Sequence, residues 1–246
     1  MSESLKGKTA IVTGSSRGIG EAIAIKFGKL GANVIVNYSQ SASKAQDVVK
    51  RIKELGSAAL AIKADVSSRT EVEHMVSKAL VHFGSVHILV NNAAYEKTSL
   101  FKDMTEEEWN RVIAVNLTGS FLCAKAVWDI MRKQKWGRII NISSVLGITG
   151  EVGLAHYAST KAGQVGLTKV LSREGERYNI RVNAVLPGLT KTDGAWAAIP
   201  EEGRKKYDQY GRLCMPEDIA EAVAFLASDA SDKIRGQAII VDGGQF

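Results

Sequence analysis

Short β-branched runs alternate with longer stretches of helical spacing along the whole chain. TAIVT (9–13) reads as a buried strand. Gly18 to Leu30 has helical spacing, with Gly31 as its stop. NVIVNY (33–38) is a second strand, and Ser43 to Leu55 an amphipathic helix ended by Gly56. ALAIK (59–63) is the third strand, followed by a helix from Arg69 to Phe83 that stops at Gly84. HILVN (87–91) is the fourth. Thr105 with Glu108 then forms a capping-box signature, opening a long helix past Asn116 to about Gln134. RIINIS (138–143) is the fifth strand, and the next helix runs to about Arg177. IRVNAVL (180–186) is the sixth, stopped by Pro187-Gly188. Residues 189–215 read as an irregular or short-helical insertion. Pro216 opens a further helix, and AIIVD (238–242) is the seventh strand.

Strands that alternate with helices pair in parallel through right-handed crossovers. Strands that are apolar throughout need cover on both faces. The expected fold is therefore α/β: a Rossmann-type doubly wound sheet of about seven parallel strands with helices on both faces. No repeat, linker or low-complexity segment divides the chain, so one domain over residues 1–246 is expected, with 189–215 as a substrate-loop insertion.

Charge and cysteine usage narrow the function classes. The net charge of +6 includes no block of lysine and arginine, so nucleic acid is disfavoured and anionic cofactors or substrates suit the chain equally well. Cys123 and Cys214 form no CxxC and have no histidine cluster beside them, which argues against a metal site and for reduced thiols. The start, MSESLKGK, lacks an apolar signal region, and no apolar run approaches the roughly 18 residues of a membrane span. A cytoplasmic protein is expected.

The first strand leads into Thr13-Gly14-Ser15-Ser16-Arg17-Gly18-Ile19-Gly20 and then a helix. Glycines at 14, 18 and 20 permit a tight turn and close approach of a dinucleotide pyrophosphate to a helix N-terminus. The spacing is GxxxGxG rather than GxGxxG. An acid that holds the ribose hydroxyls is expected at the end of the second strand, where this chain has Asn37-Tyr38-Ser39. Arg17 lies in the turn instead, and an arginine pairs with a 2′-phosphate where a carboxylate would repel it. NADP(H) is thus preferred over NAD(H).

Tyr157 and Lys161 stand four residues apart and share a helix face. A nearby ammonium favours phenolate, so the expectation is a tyrosine pKa below its reference of about 10 and a usable acid or base. Ser144 ends the fifth strand at the carboxyl edge, where ligands bind such sheets. Asn116 lies inside a helix, an unfavourable place for a side chain that competes for backbone hydrogen bonds, and is suited to hold a water or a carbonyl.

TGSSRGIG, NNAA (91–94), Asn116, Ser144, Tyr157-x-x-x-Lys161 and Pro187-Gly188 together resemble the short-chain dehydrogenases/reductases, in order and spacing over essentially the whole chain. The resemblance implies a tetrad. Tyr157 exchanges a proton with the substrate oxygen, and Ser144 stabilises charge on that oxygen. Lys161 lowers the tyrosine pKa and holds the nicotinamide ribose, and Asn116 positions a water. It also implies cofactor contacts: Gly14, Ser15, Ser16, Arg17, Gly18, Ile19 and Gly20 around the phosphates and adenosine ribose, Ser39 at the 2′-phosphate, and Asp65 and Val66 at the adenine. Asn92 and Ala93 follow the fourth strand, Tyr157 and Lys161 take the ribose, and Pro187, Gly188, Thr190 and Thr192 lie on the nicotinamide side. Ala94 departs from the glycine usual in the family.

The chain looks most like the 3-oxoacyl-[acyl-carrier-protein] reductases, with glucose dehydrogenase-like members close behind. A small carbonyl or alcohol substrate, acyl carrier protein as its carrier, and a homotetramer follow from that resemblance. Of two positions matching carrier-protein contacts, Lys135 is basic and Tyr178 is not, although Arg177 adjoins it. Val152, Trp196 and Ile199 suggest an apolar cover over the substrate. His156 falls on another helix face, as a structural or interface residue. A protein that senses the dinucleotide without turnover is the other class of reading; the presence of both Tyr157 and Lys161 favours the enzyme.

Overall fold

The computed structural model describes residues 4–192, Gly194, Trp196, Glu201 and 212–246. Seven strands form one parallel sheet in the order β3-β2-β1-β4-β5-β6-β7. They are β1 (Thr9–Val12), β2 (Asn33–Tyr38), β3 (Ala59–Lys63), β4 (Ile88–Asn91), β5 (Gly137–Ile142), β6 (Ile180–Pro187) and β7 (Ala238–Val241). Their limits fall within one or two residues of those expected from the sequence.

The helices are α1 (Gly18–Lys29), α2 (Ala42–Glu54), α3 (Arg69–Phe83), α4 (Glu106–Ile113), α5 (Gly119–Gln134), the short α6 (Leu146–Thr149), α7 (Ala155–Gly175) and α8 (Pro216–Ala227). Alternate strand residues feed two cores, as a pleat of period two requires. Ala10, Val12, Val34, Val36, Ile88 and Val90 meet Ile23, Phe27, Val48, Ile52, Ile219 and Val223 from α1, α2 and α8. Ile11, Ile35, Leu89 and Ile139 point the other way, onto Val72, Met75, Val127 and Met131 of α3 and α5.

The long helix expected from Thr105 to Gln134 is divided. Thr105 caps it with the anticipated box: its hydroxyl accepts the Glu108 N–H at 3.2 Å and Glu108 accepts the Thr105 N–H. Between α4 and α5, however, Ala114–Thr118 forms a π-helical turn that contains Asn116. The continuous run Glu106–Gln134 is long and apolar enough, by length and composition, to cross a membrane, which corrects the expectation that no such run exists. Its apolar side is nevertheless committed to the core, with Val112, Val115, Leu122, Cys123, Val127 and Met131 buried.

At β1 the sheet order reverses direction. β1 pairs with β2 on one side (Ile11 opposite Ile35) and with β4 on the other (Ile11 opposite Leu89). The loops after β1 and β4 therefore leave the same edge side by side, opening the crevice in which such sheets bind ligands. The insertion after β6 is anchored at its base. Thr190 bridges Cys214, and the Gln245 amide accepts the Leu189 N–H at 2.7 Å while donating to the carbonyls of Leu189 and Arg212. Ile199 lies outside the described residues.

Candidate active site

The glycine turn is fixed by three polar side chains. Thr13, at the end of β1, accepts the N–H groups of Asn92 at 2.9 Å and Ala93 at 3.0 Å, and donates to Val90 O. Asn92 returns its side-chain amide to Thr13 O at 2.8 Å. Asn37 accepts the Gly14 N–H at 3.0 Å and donates to Ala64 O. Gly14 has φ +61°, and a methyl group there would stand 2.8 Å from Ala93 Cα. Glycine is required here by both backbone conformation and space.

Arg17 precedes α1 with no side-chain cap, so the opening N–H groups of Gly18, Ile19 and Gly20 lack a side-chain acceptor. That is a ready anion site, and a methyl group at Gly20 would close it against Asn92 Nδ2 at 2.5 Å. The cradle fits a dinucleotide pyrophosphate. Arg17 and Ser39 are exposed, and Ser16 and Ile19 partly so. Ser15 is buried, with its hydroxyl donating to Val12 O at 2.7 Å, so what it offers outward is backbone.

Asp65 and Val66 follow β3. Partial burial raises the Asp65 pKa, but hydrogen bonds from Ser67 and the Arg111 guanidinium at 3.1 Å outweigh it and hold the carboxyl low. Val66 is buried against Gly119. Thr192 lies across from Gly18, its methyl 3.3 Å from where a Gly18 side chain would begin. Pro187 ends β6, Gly188 donates to Val241 O at 3.0 Å, and the Thr190 hydroxyl donates to Gly188 O. Of the residues expected over the substrate, Val152 is 76% exposed on the loop before α7. The Trp196 backbone N–H donates to Thr192 O, and the Lys191 ammonium stands 5.2 Å from the Trp196 ring.

The tetrad assembles at the carboxyl edge of β5. Ser144 follows the strand; its hydroxyl accepts the Leu146 N–H at 3.2 Å, and it stands near enough to Tyr157 to pull that hydroxyl's pKa down. Lys161 is 2% exposed, donates to Ile142 O at 2.7 Å, and holds its ammonium 5.3 Å from the Tyr157 ring centroid. Asn116 is fully buried. Its side chain accepts the Tyr95 N–H at 2.8 Å and donates to Tyr95 O at 3.0 Å and to Thr160 Oγ at 3.3 Å. Thr160 Oγ in turn donates to Tyr157 O. The carbonyl Asn116 holds is thus that of the loop after β4.

Electrostatics correct one expectation. The Tyr157 pKa is raised, not lowered: burial dominates, the Glu96 carboxylate adds to it, and the Ser144 hydrogen bond only partly offsets them. Burial likewise pushes the Lys161 ammonium down to about 8, against an upward pull from Glu96. The reason is desolvation, which disfavours the charged form of each group; the bond from the ammonium to the Ile142 carbonyl works against it. Glu96, which the sequence reading passed over, is exposed; partial desolvation of its carboxyl pushes its pKa up, with Lys161 and His156 opposing. Thr13 and Arg111 were also missed; a short polar residue closing β1 was the one local signal available. His156 is fully buried, consistent with a structural position.

At the far ends of α5 and α7, Lys135 follows Gln134, and Tyr178 lies between the guanidinium groups of Arg132 at 5.8 Å and Arg177 at 4.8 Å.

A family model described as short chain dehydrogenase matches residues 8–203. The chain is 44% identical over 241 residues to the 3-oxoacyl-[acyl-carrier-protein] reductase FabG of Staphylococcus epidermidis, covering 97% of this chain and 99% of the relative. It is 42% identical to the 3-oxoacyl-[acyl-carrier-protein] reductase of Synechocystis sp., covering 98% and 97%. Its fold is similar to that of 7α-hydroxysteroid dehydrogenase, solved in complex with NADH and 7-oxo glycochenodeoxycholic acid. The TM-score is 0.94 with 36% identity, over 98% of this chain and 95% of that one. The chain belongs to the short-chain dehydrogenase family, oxidoreductases that interconvert carbonyl and alcohol groups.

Proposed function

We propose that the protein is an NADP(H)-dependent reductase of 3-oxoacyl thioesters, acting as one domain in the cytoplasm. The observation that carries this reading is Tyr157 near Ser144 with the Lys161 ammonium 5.3 Å from its ring, in a chain so similar to named 3-oxoacyl-[acyl-carrier-protein] reductases.

The bound nicotinamide supplies the hydride. The protein's own part is to bind, orient and move a proton. Tyr157, held protonated by its surroundings, gives the proton from its hydroxyl to the substrate oxygen. The Ser144 hydroxyl donates to the same oxygen as negative charge develops on it. Lys161, ionised below a pKa of about 8, is the cation nearest the phenolate left behind, and it holds the nicotinamide ribose together with Tyr157. Gly14, Ser15, Ser16, Gly18, Ile19 and Gly20 take the phosphates, with Asp65 and Val66 at the adenine. Asn92, Ala93, Pro187, Gly188, Thr190 and Thr192 line the remainder. Arg17 and Ser39 take the 2′-phosphate. Both are exposed, and no carboxylate ends β2.

Acyl carrier protein is the partner this reading names. Around Tyr178, Arg132, Arg173 and Arg177 outnumber Glu174 and Glu176, a basic excess suited to an acidic carrier. A homotetramer agrees with apolar residues left exposed on the long helices, among them Trp109, Phe121 and Val170. Val152 and Trp196 are the substrate-side residues in this reading.

The test is oxidation of NADPH and NADH with a 3-oxoacyl thioester, wild type beside Tyr157→Phe. NADPH-selective turnover that the phenylalanine variant loses supports the reading. Tight NADPH binding without acyl turnover rejects the thioester. Hydrophobic ring ketones are then next to assay, as the likeness to a steroid dehydrogenase suggests.

A further inference from the structure

Asn116 is held at its backbone as well as at its side chain, by two buried residues that the mechanism above leaves out. Gln164 lies on α7, three residues beyond Lys161, and is fully buried. Its Nε2 donates to the Asn116 backbone oxygen at 3.1 Å and to Ser120 Oγ at 2.8 Å. Ser120, buried on α5, donates its hydroxyl to the same Asn116 oxygen at 2.7 Å. These bonds use both lone pairs of that carbonyl and both protons of the Gln164 amide. The amide has one workable orientation, since its oxygen turned the same way would face the carbonyl oxygen.

The contact falls where the helix departs from α geometry. Across Ala114–Thr118 the Gly119 N–H bonds Ala114 O, five residues back. Such π turns are rare, and Gln164 and Ser120 grip the carbonyl inside this one. Farther along α7 the same network continues: Thr168 Oγ donates to Gln164 O at 2.8 Å and accepts Asn141 Nδ2 at 2.8 Å. Stability alone does not account for a glutamine here. Its Oε1 is buried with no hydrogen-bond partner among the described residues. An unpaired buried acceptor opposes folding, so an apolar side chain of that size would suit the core better.

We propose that Gln164 is a positioning residue of the reaction: by gripping the Asn116 carbonyl it fixes the π turn, and with it the place of the Asn116 side chain in the tetrad. The route is continuous. Gln164 Nε2 holds Asn116 O, the Asn116 side chain holds both backbone polar groups of Tyr95 and bonds Thr160 Oγ, and Thr160 Oγ bonds Tyr157 O. Gln164 touches neither substrate nor cofactor and exchanges no proton. The inference rests on Tyr157 acting as the acid, and not on the substrate being an acyl thioester.

Gln164→Glu, Gln164→Met and Thr168→Val test it beside wild type. Burial keeps a carboxyl neutral above its ordinary pKa of about 4.3. While neutral, the carboxyl of Gln164→Glu still offers one donor to the Asn116 oxygen; once ionised it offers none. Its kcat is expected close to wild type at the acid end, then on the order of tenfold lower after a descending limb that wild type lacks. Gln164→Met loses on the order of tenfold in kcat at every pH, with KM and NADPH affinity held. Thr168→Val cuts the same network away from Asn116: its urea midpoint falls, while kcat and its pH profile hold. Hydrogen exchange in the loop after β4, read by mass spectrometry, needs no substrate. It quickens in Gln164→Met, and in Gln164→Glu at alkaline pH, and is unchanged in Thr168→Val. Equal kcat losses in Gln164→Met and Thr168→Val would make the role merely structural and overturn the proposal. So would a Gln164→Glu profile parallel to wild type, or loop exchange that does not move. The isosteric Gln164→Glu decides if Gln164→Met does not fold. If no acyl thioester turns over, the exchange comparison still decides, so failure of the substrate reading is told apart from failure of this one.

Discussion

Asn116 and Tyr95 are joined at two points: the asparagine side chain accepts the Tyr95 N–H at 2.8 Å and donates to its carbonyl at 3.0 Å. The same amide reaches Thr160 on α7, so one buried side chain ties the loop after β4 to the helix that carries Tyr157 and Lys161. The π-helical turn at Ala114–Thr118 brings it there, as such turns at functional sites commonly do.

Replacing that amide is expected to loosen the site without unfolding it. Asn116→Ala leaves two backbone groups of Tyr95 without their partner, a cost of about 2 kcal/mol. Urea denaturation measures the loss, and kcat is expected to fall at least about tenfold, with Asn116→Asp intermediate because it keeps the acceptor and loses the donor.

Lys161 makes stability depend on pH in a defined window. Its folded pKa of about 8 lies below the unfolded value, so the unfolded chain binds more protons between about 8 and 10.5. The ammonium therefore opposes folding below pH 8, and that penalty is relieved as pH rises through the window. Lys161→Met removes a penalty of order 3 kcal/mol at pH 7, reduced by loss of the bond to Ile142 O. Denaturant midpoints of variant and wild type are expected to differ more in the variant's favour at pH 7 than at pH 10; a gap that does not narrow with pH contradicts the account. The variant loses turnover.

Cofactor choice is expected to turn on one residue at the end of β2. Ser39→Asp places a carboxylate just after β2, at the exposed position proposed for the 2′-phosphate. KM for NADPH is expected to rise on the order of tenfold or more, while that for NADH holds or falls. Equal effects on both cofactors would show that Ser39 does not meet the phosphate.

The turn after β1 tolerates no side chain at Gly14. Gly14→Ala meets both the left-handed backbone and Ala93 Cα at 2.8 Å. A loss of about 1–3 kcal/mol in stability and a larger loss in dinucleotide affinity are expected, read by thermal melting and fluorescence titration with NADPH. Full affinity in the alanine variant would remove Gly14 from the cradle.

Much of this molecule is written locally. Runs such as NVIVNY and ALAIK carry the strand period, Gly56 and Gly84 stop their helices, and Thr105 with Glu108 caps α4; each signal spans a few residues, so the chain alone states it. The parallel sheet follows from the alternation, the glycine turn from its spacing, and the tetrad from the family resemblance its motifs carry. What the chain alone left open depends on groups far apart in sequence. The π turn that carries Asn116 is settled by what its side chain finds in the loop at Tyr95, and Thr13 finds its partners at Asn92 and Ala93. The sign of the Tyr157 shift was misjudged from its neighbour at 161, because spacing gives proximity and says nothing of solvent. Burial and a carboxylate at position 96 outweigh that proximity, and both exist only once the loop after β4 has folded against α7. Hydrophobic period and turn chemistry are properties of neighbouring residues, whereas desolvation and the field at a buried hydroxyl are properties of the assembled fold.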